Sequence, residues 1–390
     1  MTKNSFATRG DGESLQINLQ KLIRKHLLIV GQTGSGKTTS TLALLNQLQH
    51  ANYTNVVLDP TGEYRQLPNA VTYRLADNAY LEAGQLSAQQ LCLALNVHLP
   101  DSVINALISA INALRIQRNL VNDDQPYVKI NVPIAKYQRQ LERLGDWARS
   151  YNPQLLGRQL IEEMIIPSEG DDADYSLLGQ QYDRRVINSN WLQLTTVRQR
   201  LISHAFRVLF GESTQKGRSQ TELLFALKMF LNQTSIHRTL VIDLSALQRY
   251  LSSQRVVISL LFHHLLMMQL ASRQPRPVNI VLDEAHRYLP TDPRQLADNG
   301  IFQVLREGRK AGISVTMTTQ SPLDLPARLR SQFSSYLIHR LAAPEELSSL
   351  AGLTALSAND IGQLRTGEAI VHQDGHDNME VFVTKPEWLH

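Results

Sequence analysis

A single cysteine, Cys92, stands in a chain of 390 residues. One thiol excludes an intramolecular disulfide and any cysteine-rich zinc site, and it fits a reducing cytoplasm, with an inert buried thiol as the simplest reading. The opening stretch MTKNSFATRGDGESLQ lacks the apolar core of a secretory leader, so secretion is not expected. Long hydrophobic runs are scarce as well. The most apolar one, Val256 to Ala271, is too short to span a bilayer comfortably and carries His263, His264 and Gln269, so it reads as a buried helix and no membrane partner is expected. Those two histidines are chain neighbours that would face different ways on a helix, and no third ligand accompanies them, which argues against a metal there. No internal repeat or low-complexity tract is present, so nothing points to a solenoid or a disordered tail.

The composition is ordinary for a globular protein, with 43% hydrophobic and 19% charged residues, enough for one large domain or two moderate ones. The formal net charge of +4 is compatible with a polyanionic partner but far below the density of a basic arm. Strand-like and helix-like runs alternate from residue 26 to about 95: HLLIV, KTTSTLALLNQLQHA, TNVVLD. That is the pattern of a parallel α/β sheet. Residues 96 to 235 change to helical spacing broken by polar segments, and read as a mostly helical insertion. Strand-like runs then return in TLVIDL, VNIVLD, ISVTMTT, SSYLIHR, EAIVH and EVFVT, so the core is expected from 1–95 and 236–390.

GQTGSGKT places Gly31, Gly36, Lys37 and Thr38 in the G-x-x-x-x-G-K-[ST] pattern, between a strand-like run and a helix-like one. The glycines let successive N–H groups face a polyphosphate, so Gln32, Thr33, Gly34, Ser35, Gly36, Lys37, Thr38 and Thr39 are candidate nucleotide contacts. Lys37 would reach the β- and γ-oxygens, and Thr38 would offer its hydroxyl to Mg²⁺. Hydrolysis needs more: an acid on a second strand to hold the magnesium, and a group that poises water on the γ-phosphate. NIVLDEAH supplies Asp283 for the first task and Glu284 for the second, at the strand's C-terminal end where ligands gather in open sheets. ATPases with a glutamate beside the magnesium aspartate carry an additional strand between the phosphate-loop strand and the acidic strand, ending in a polar sensor. ISVTMTTQ ends in Gln320, the candidate sensor, although a polar residue closing a strand before Ser321-Pro322 would look the same. In LREGRKAG, Arg306, Arg309 and Lys310 either compensate a helix dipole or include an arginine finger for a neighbouring subunit.

Taken in order, QINLQKLIRKHLLIVGQTGSGKTTS, VVLDPTGEY, TLVIDLSAL, NIVLDEAHRYLP, REGRKAGISVTMTTQSP and TGEAIV resemble the HerA branch of HerA/FtsK-type DNA-translocating ATPases, over roughly 15–95 and 236–385. The resemblance implies a RecA-like P-loop NTPase of the additional-strand, catalytic-glutamate type, hydrolysing ATP with Mg²⁺ at the subunit junctions of a hexameric ring around duplex DNA. It implies Lys37, Glu284, Gln320 and the trans-acting Arg309 as catalytic groups, and Thr38 and Asp283 at the metal. The acidic motif DPTGEY brings Asp59 and Glu63 toward the nucleotide, while a tight turn on Pro60 and Gly62 is the alternative reading. Archaeal members begin with a small β-barrel for which residues before Gly31 leave no room, so assembly would rest on the core, the insertion or a partner. Compact bacterial relatives accompany an effector such as a nuclease or a NAD hydrolase in antiphage defence. Two other motif readings fail. DEAH-box helicases place the acidic box far closer to the phosphate loop than Asp283 stands to Lys37. DPTG imitates a GTPase motif, yet no N-K-x-D guanine reader exists in the chain.

Overall fold

The computed structural model describes residues 5–9, 13–15, 17–145, 147–210, 219–232, 239–290, 296–341, 343–350, 361–373 and 377–389. The chain divides into two compact units, one of residues 1–74 with 224–390 and one of 75–223.

The strands, in chain order, are β1 Ala7–Thr8, β2 Ser14–Leu15, β3 Leu27–Val30, β4 Thr54–Asp59, β5 Ala70–Arg74, β6 Ala79–Tyr80, β7 Ile165–Ile166, β8 Gln181–Tyr182, β9 Thr221–Glu222, β10 Thr239–Asp243, β11 Val278–Leu282, β12 Ile313–Thr319, β13 Ser335–Ile338, β14 Glu368–Gln373 and β15 Met379–Val383. In the first unit they form one sheet in the order β2-β1-β15-β14-β13-β3-β12-β11-β4-β10-β5. From β13 through β5 every neighbouring pair is parallel, while β14, β15, β1 and β2 add an antiparallel edge. The parallel strands β3, β10, β11 and β12 are buried along their whole length, as expected of unbroken runs such as LLIV and VNIVL covered on both faces. β12 lies between β3 and β11, and this is the additional strand of the catalytic-glutamate class.

The helix Lys37–His50 packs two ways at once: Leu44 and Leu48 join one apolar cluster with Leu27 and Ile29, while Leu42 and Leu45 join another with Val57, Val241 and Val281. A helix clamped on both flanks holds its N-terminus firmly at the sheet's C-terminal edge. The helix Leu251–Ala271 meets the helix Gly300–Glu307 so closely that a Cβ on Gly300 would stand 1.9 Å from the Ser259 carbonyl oxygen, a contact that requires glycine. Leu251–Ala271 starts earlier than the apolar run in the sequence indicates, and its 21 residues are long and apolar enough to cross a membrane by length and composition. Its apolar side chains are instead spent on the core, since Val257, Ile258, Leu261, Phe262 and Leu265 are fully buried. His263 bonds Gln303 through Nδ1 at 2.8 Å, and among the described residues no cluster fit for a metal exists.

The second unit is mostly helical, built around Asp101–Ile116, Ile134–Arg143, Leu156–Glu162, Trp191–Leu201 and His204–Phe210, with the two-stranded pairs β6-β9 and β7-β8. A buried ion pair between Lys129 and Glu163 is supported by Tyr137 and Gln159. The unit begins at residue 75, earlier than the change in sequence character near residue 96, because β6 pairs with β9 and carries residues 75–95 with it. Arg115 donates to the Ala148 and Gly145 carbonyls and Arg118 pairs with Asp124, so these two basic residues work within the unit.

Candidate functional site

The phosphate loop leaves β3 and enters the helix Lys37–His50 through Gly36, whose φ of 114° lies in the left-handed region that glycine alone adopts cheaply. Among the described residues no side chain caps this helix start, so the N–H groups of its first turn are directed at whatever the loop encloses. The Ser35 hydroxyl is buried in the loop without a hydrogen-bond partner among the described residues, a second polar group available to a phosphate. Lys37 is buried, with Nζ donating to the Gly31 carbonyl at 2.6 Å and to Gln32 O at 3.3 Å. Burial lowers its pKa, and the nearby Glu284, Asp283 and Glu63 carboxylates pull it back up. Neighbouring strands hold the loop from both sides. Gln32 N–H donates to the Arg340 carbonyl just past β13, Gly367 N–H donates to Ser35 O at 3.1 Å, and the Thr366 hydroxyl to Gly34 O. His339 donates from Nδ1 to Glu368 O and accepts the Ser40 hydroxyl on Nε2, and burial depresses its pKa to about 4, so the ring is a neutral strut under the loop.

Asp283 and Glu284 follow β11 directly. Asp283 is buried and accepts the Tyr64 hydroxyl at 3.1 Å on Oδ2, while its Oδ1 accepts the Thr318 hydroxyl and the Glu284 N–H. Thr318 Oγ1 in turn accepts the Glu284 N–H at 2.9 Å. This knot holds Glu284 at φ 49°, ψ 46°, a left-handed conformation costing a non-glycine residue about 1 kcal/mol. The Glu284 carboxylate accepts Gln320 Nε2 at 3.2 Å, and Gln320 Oε1 accepts the Thr33 hydroxyl at 3.2 Å. Gln320 thus ties the acidic strand to the phosphate loop through a single side chain.

The DPTGEY segment separates into two roles. Asp59 is fully buried, and its carboxylate accepts the N–H groups of Gly62, Glu63 and Tyr64. The hydrogen bonds of the carboxylate close its own loop, an arrangement consistent with a tight turn on Pro60 and Gly62. Burial, chiefly, raises its pKa. Glu63 instead accepts the Thr38 hydroxyl and faces Asp283 and Glu284; burial and then Asp283 raise its pKa. Three carboxylates, Glu63, Asp283 and Glu284, gathered around Lys37 make a field that a divalent cation complements, and Thr38 and Asp283 are the oxygen donors suited to Mg²⁺.

Thus Gln32 to Thr39, Glu63, Asp283, Glu284 and Gln320 are brought together, and Arg309 is not. It sits in the turn Gly308–Ala311 ahead of β12, whereas Gln320 follows that strand; its seven residues separate the two ends by about 20 Å. Arg309 lines a cavity of about 490 Å³ with Lys21, Arg24 and Tyr53. Tyr64, Thr318 and His339 escaped the sequence reading; Thr318 had a signal, since it stands two places before Gln320 and shares its alternation.

Residues 7–263 match the family model described as "Helicase HerA, central domain". The chain belongs to the HerA helicase family. It is 20% identical over 379 residues to a protein of Methanocaldococcus jannaschii named "Probable helicase", covering 94% of this chain and 63% of that protein, so it spans less than two thirds of that relative's length. A second protein of that organism, named "Probable DNA double-strand break repair helicase HerA", is 21% identical, over 93% of this chain and 71% of the relative. Among solved structures, VirB4 of Thermoanaerobacter pseudethanolicus superposes with a TM-score of 0.61 at 13% identity, covering 100% of this chain and 99% of the other. The plasmid coupling protein TrwB, solved with ADP and Mg²⁺, gives 0.57 at 14% identity, covering 99% and 91%. At these identities the likeness shows the fold alone, a RecA-like α/β fold.

Proposed function

We propose that this HerA-family chain is an ATP-driven DNA translocase or helicase. The observation that carries the reading is the Gln320 bridge, which joins the loop that would hold the γ-phosphate to the carboxylate that would activate water. In this reading the N–H groups after Gly36 and the Ser35 hydroxyl hold the phosphates, and Lys37 swings from the Gly31 carbonyl to the β- and γ-oxygens. Mg²⁺, held by Thr38 and Asp283, neutralises charge on the phosphates when bound. Glu284 takes a proton from water as its oxygen bonds to the γ-phosphorus; the bond to the bridging oxygen breaks, and ADP leaves with the electron pair. Glu63 orients the Thr38 hydroxyl. Asp59 and Tyr64 set the loop and the aspartate.

Arg309, on the far edge of its own sheet, would serve the site of the next subunit in a ring, which we take to be hexameric and threaded on duplex DNA without sequence preference. The helicase names of the relatives support the nucleic-acid part of this reading. Cytoplasmic work beside a nuclease or NAD-hydrolase effector, in antiphage defence, follows from the family resemblance. The test is ATP turnover with and without duplex DNA. Stimulation of several-fold, with Glu284→Gln turning over at least 100-fold more slowly while still binding nucleotide, is expected. ATP-dependent partner binding with no response to DNA would replace the motor with a scaffold.

A further inference from the structure

Within the second unit, a cavity of about 560 Å³ is lined by Gln154, Arg158, Arg198, Leu201, Ile202 and Arg207, along with Gly157, and by no carboxylate. The three guanidiniums come from three helices, Leu156–Glu162, Trp191–Leu201 and His204–Phe210. Arg198 is anchored by donating from Nε to the Gly157 carbonyl, against which its side chain lies. The Arg158 and Arg207 guanidiniums have neither an ion pair nor a hydrogen bond to another described residue. Three like charges converging on one hollow repel one another, and an anion relieves that repulsion.

The surrounding sequence shows that the charge extends past the hollow. From Arg184 to Phe210 the chain carries Arg184, Arg185, Arg198, Arg200 and Arg207 and neither aspartate nor glutamate. Glu162, Glu163, Glu169, Asp171, Asp172, Asp174 and Asp183 come just before, so this unit sorts its charges along the chain rather than interspersing them. Trp191, half exposed at 49%, lies two helical turns before Arg198 on the same face, and Ile202 at the cavity wall is 75% exposed. A small phosphate ester would need the hollow alone. A basic run flanking it, with an exposed aromatic on the same helix face, fits a polymer of phosphates whose backbone crosses the arginines.

We infer that this cavity is a phosphate-backbone site for nucleic acid, a contact made by the helical unit and separate from the phosphate loop. The inference rests on the DNA-directed reading of the chain, and two readouts keep the two apart: the salt dependence of DNA binding reports on the cavity, and DNA stimulation of ATP turnover reports on the motor.

The experiment titrates the full chain with a fluorescent 30-base-pair duplex across a salt series, comparing wild type with Arg158→Gln/Arg207→Gln. Loss of two phosphate contacts should weaken binding about ten-fold near 0.1 M salt and flatten the slope of log K against log salt by about 2. DNA-independent ATP turnover and the circular dichroism melt should stay unchanged, showing that the variant folds. Arg158→Lys/Arg207→Lys, which keeps the charges, should restore most of the slope, as a packing role for arginine would not. An unchanged slope in the Gln pair, or no binding by wild type, overturns the inference. So does protection of a Lys37→Ala chain by tripolyphosphate that the Gln pair abolishes while the duplex slope holds, since the cavity then takes a small phosphate ligand. A flattened slope without DNA-stimulated turnover sustains the site and sinks the motor.

Discussion

Thr318→Val removes one oxygen and keeps the shape of the side chain, which makes it the sharpest probe of how Glu284 is positioned. The Thr318 hydroxyl donates to Asp283 and accepts the Glu284 N–H at 2.9 Å, so valine deletes both bonds while Tyr64 still reaches Asp283 at 3.1 Å. Two buried hydrogen bonds contribute about 1 kcal/mol each net, and the left-handed Glu284 they hold is strained by about as much as either bond is worth. Losing about 2 kcal/mol of positioning at 1.36 kcal/mol per decade corresponds to a fall in kcat of about 30-fold. Nucleotide affinity should stay within about 3-fold, because Lys37, Ser35 and the helix start do not touch Thr318. Steady-state ATP turnover beside titration of a fluorescent nucleotide reads the two separately, and Thr318→Ser, which returns the hydroxyl, should recover most of kcat. A Val variant that turns over like wild type, or one that loses affinity as much as turnover, would refute the argument that this hydroxyl seats the base.

Arg309 yields to a mixing test: Arg309→Ala and Lys37→Ala subunits should each be inactive alone, and equal mixing should recover up to about a quarter of the junctions if the guanidinium acts across them. No recovery at any ratio would return Arg309 to a structural role at its own sheet edge. Acid should also weaken the fold in a defined window. His26 and His339 are buried and neutral, each with its pKa lowered from 6.5 to about 4 mainly by burial. The unfolded chain takes up protons at these sites first, so their stabilisation is whole above pH 6.5 and is lost as pH falls toward 4, by about 1.4 kcal/mol per histidine at pH 5.5. Asp59 and Glu163, raised by burial, pull the other way, so the measurement is a difference. The drop in melting temperature between pH 7.5 and 5.5 should be smaller in His26→Asn, which tolerates the positive φ of 62° at that position, than in wild type; equal drops would contradict the assignment.

Much of the site could be read before folding, because its chemistry is carried by contiguous stretches. GQTGSGKT, NIVLDEAH and the glutamine after ISVTMTT each pair a strand with the turn that ends it, so the pattern is visible without the rest of the fold. The second unit was harder to delimit. Two residues at Ala79–Tyr80 pair with Thr221–Glu222, a ladder too short and too distant in sequence to leave a pattern, and it moves the boundary to residue 75. DPTGEY is ambiguous for a related reason: aspartate in that motif suits a ligand or a turn equally, and only the fold shows that the N–H groups of Gly62, Glu63 and Tyr64 close on the Asp59 carboxylate.

The amino-acid sequence by itself determined the glycine-rich turn, the acid pair and the glutamine at their strand ends, and the parallel core, since each depends on local backbone geometry and on apolar runs that must be buried. The place of β12 between β3 and β11 was already expected from its sequence, and tertiary structure alone decided which side chains meet there, Thr318 and Gln320 against Asp283, Glu284 and Thr33. It also set Arg309 at the opposite sheet edge, and gathered Arg158, Arg198 and Arg207 around one hollow. Those arrangements join residues far apart along the chain, and strand order and helix packing, rather than any neighbour in sequence, bring their side chains within hydrogen-bonding or Coulombic reach.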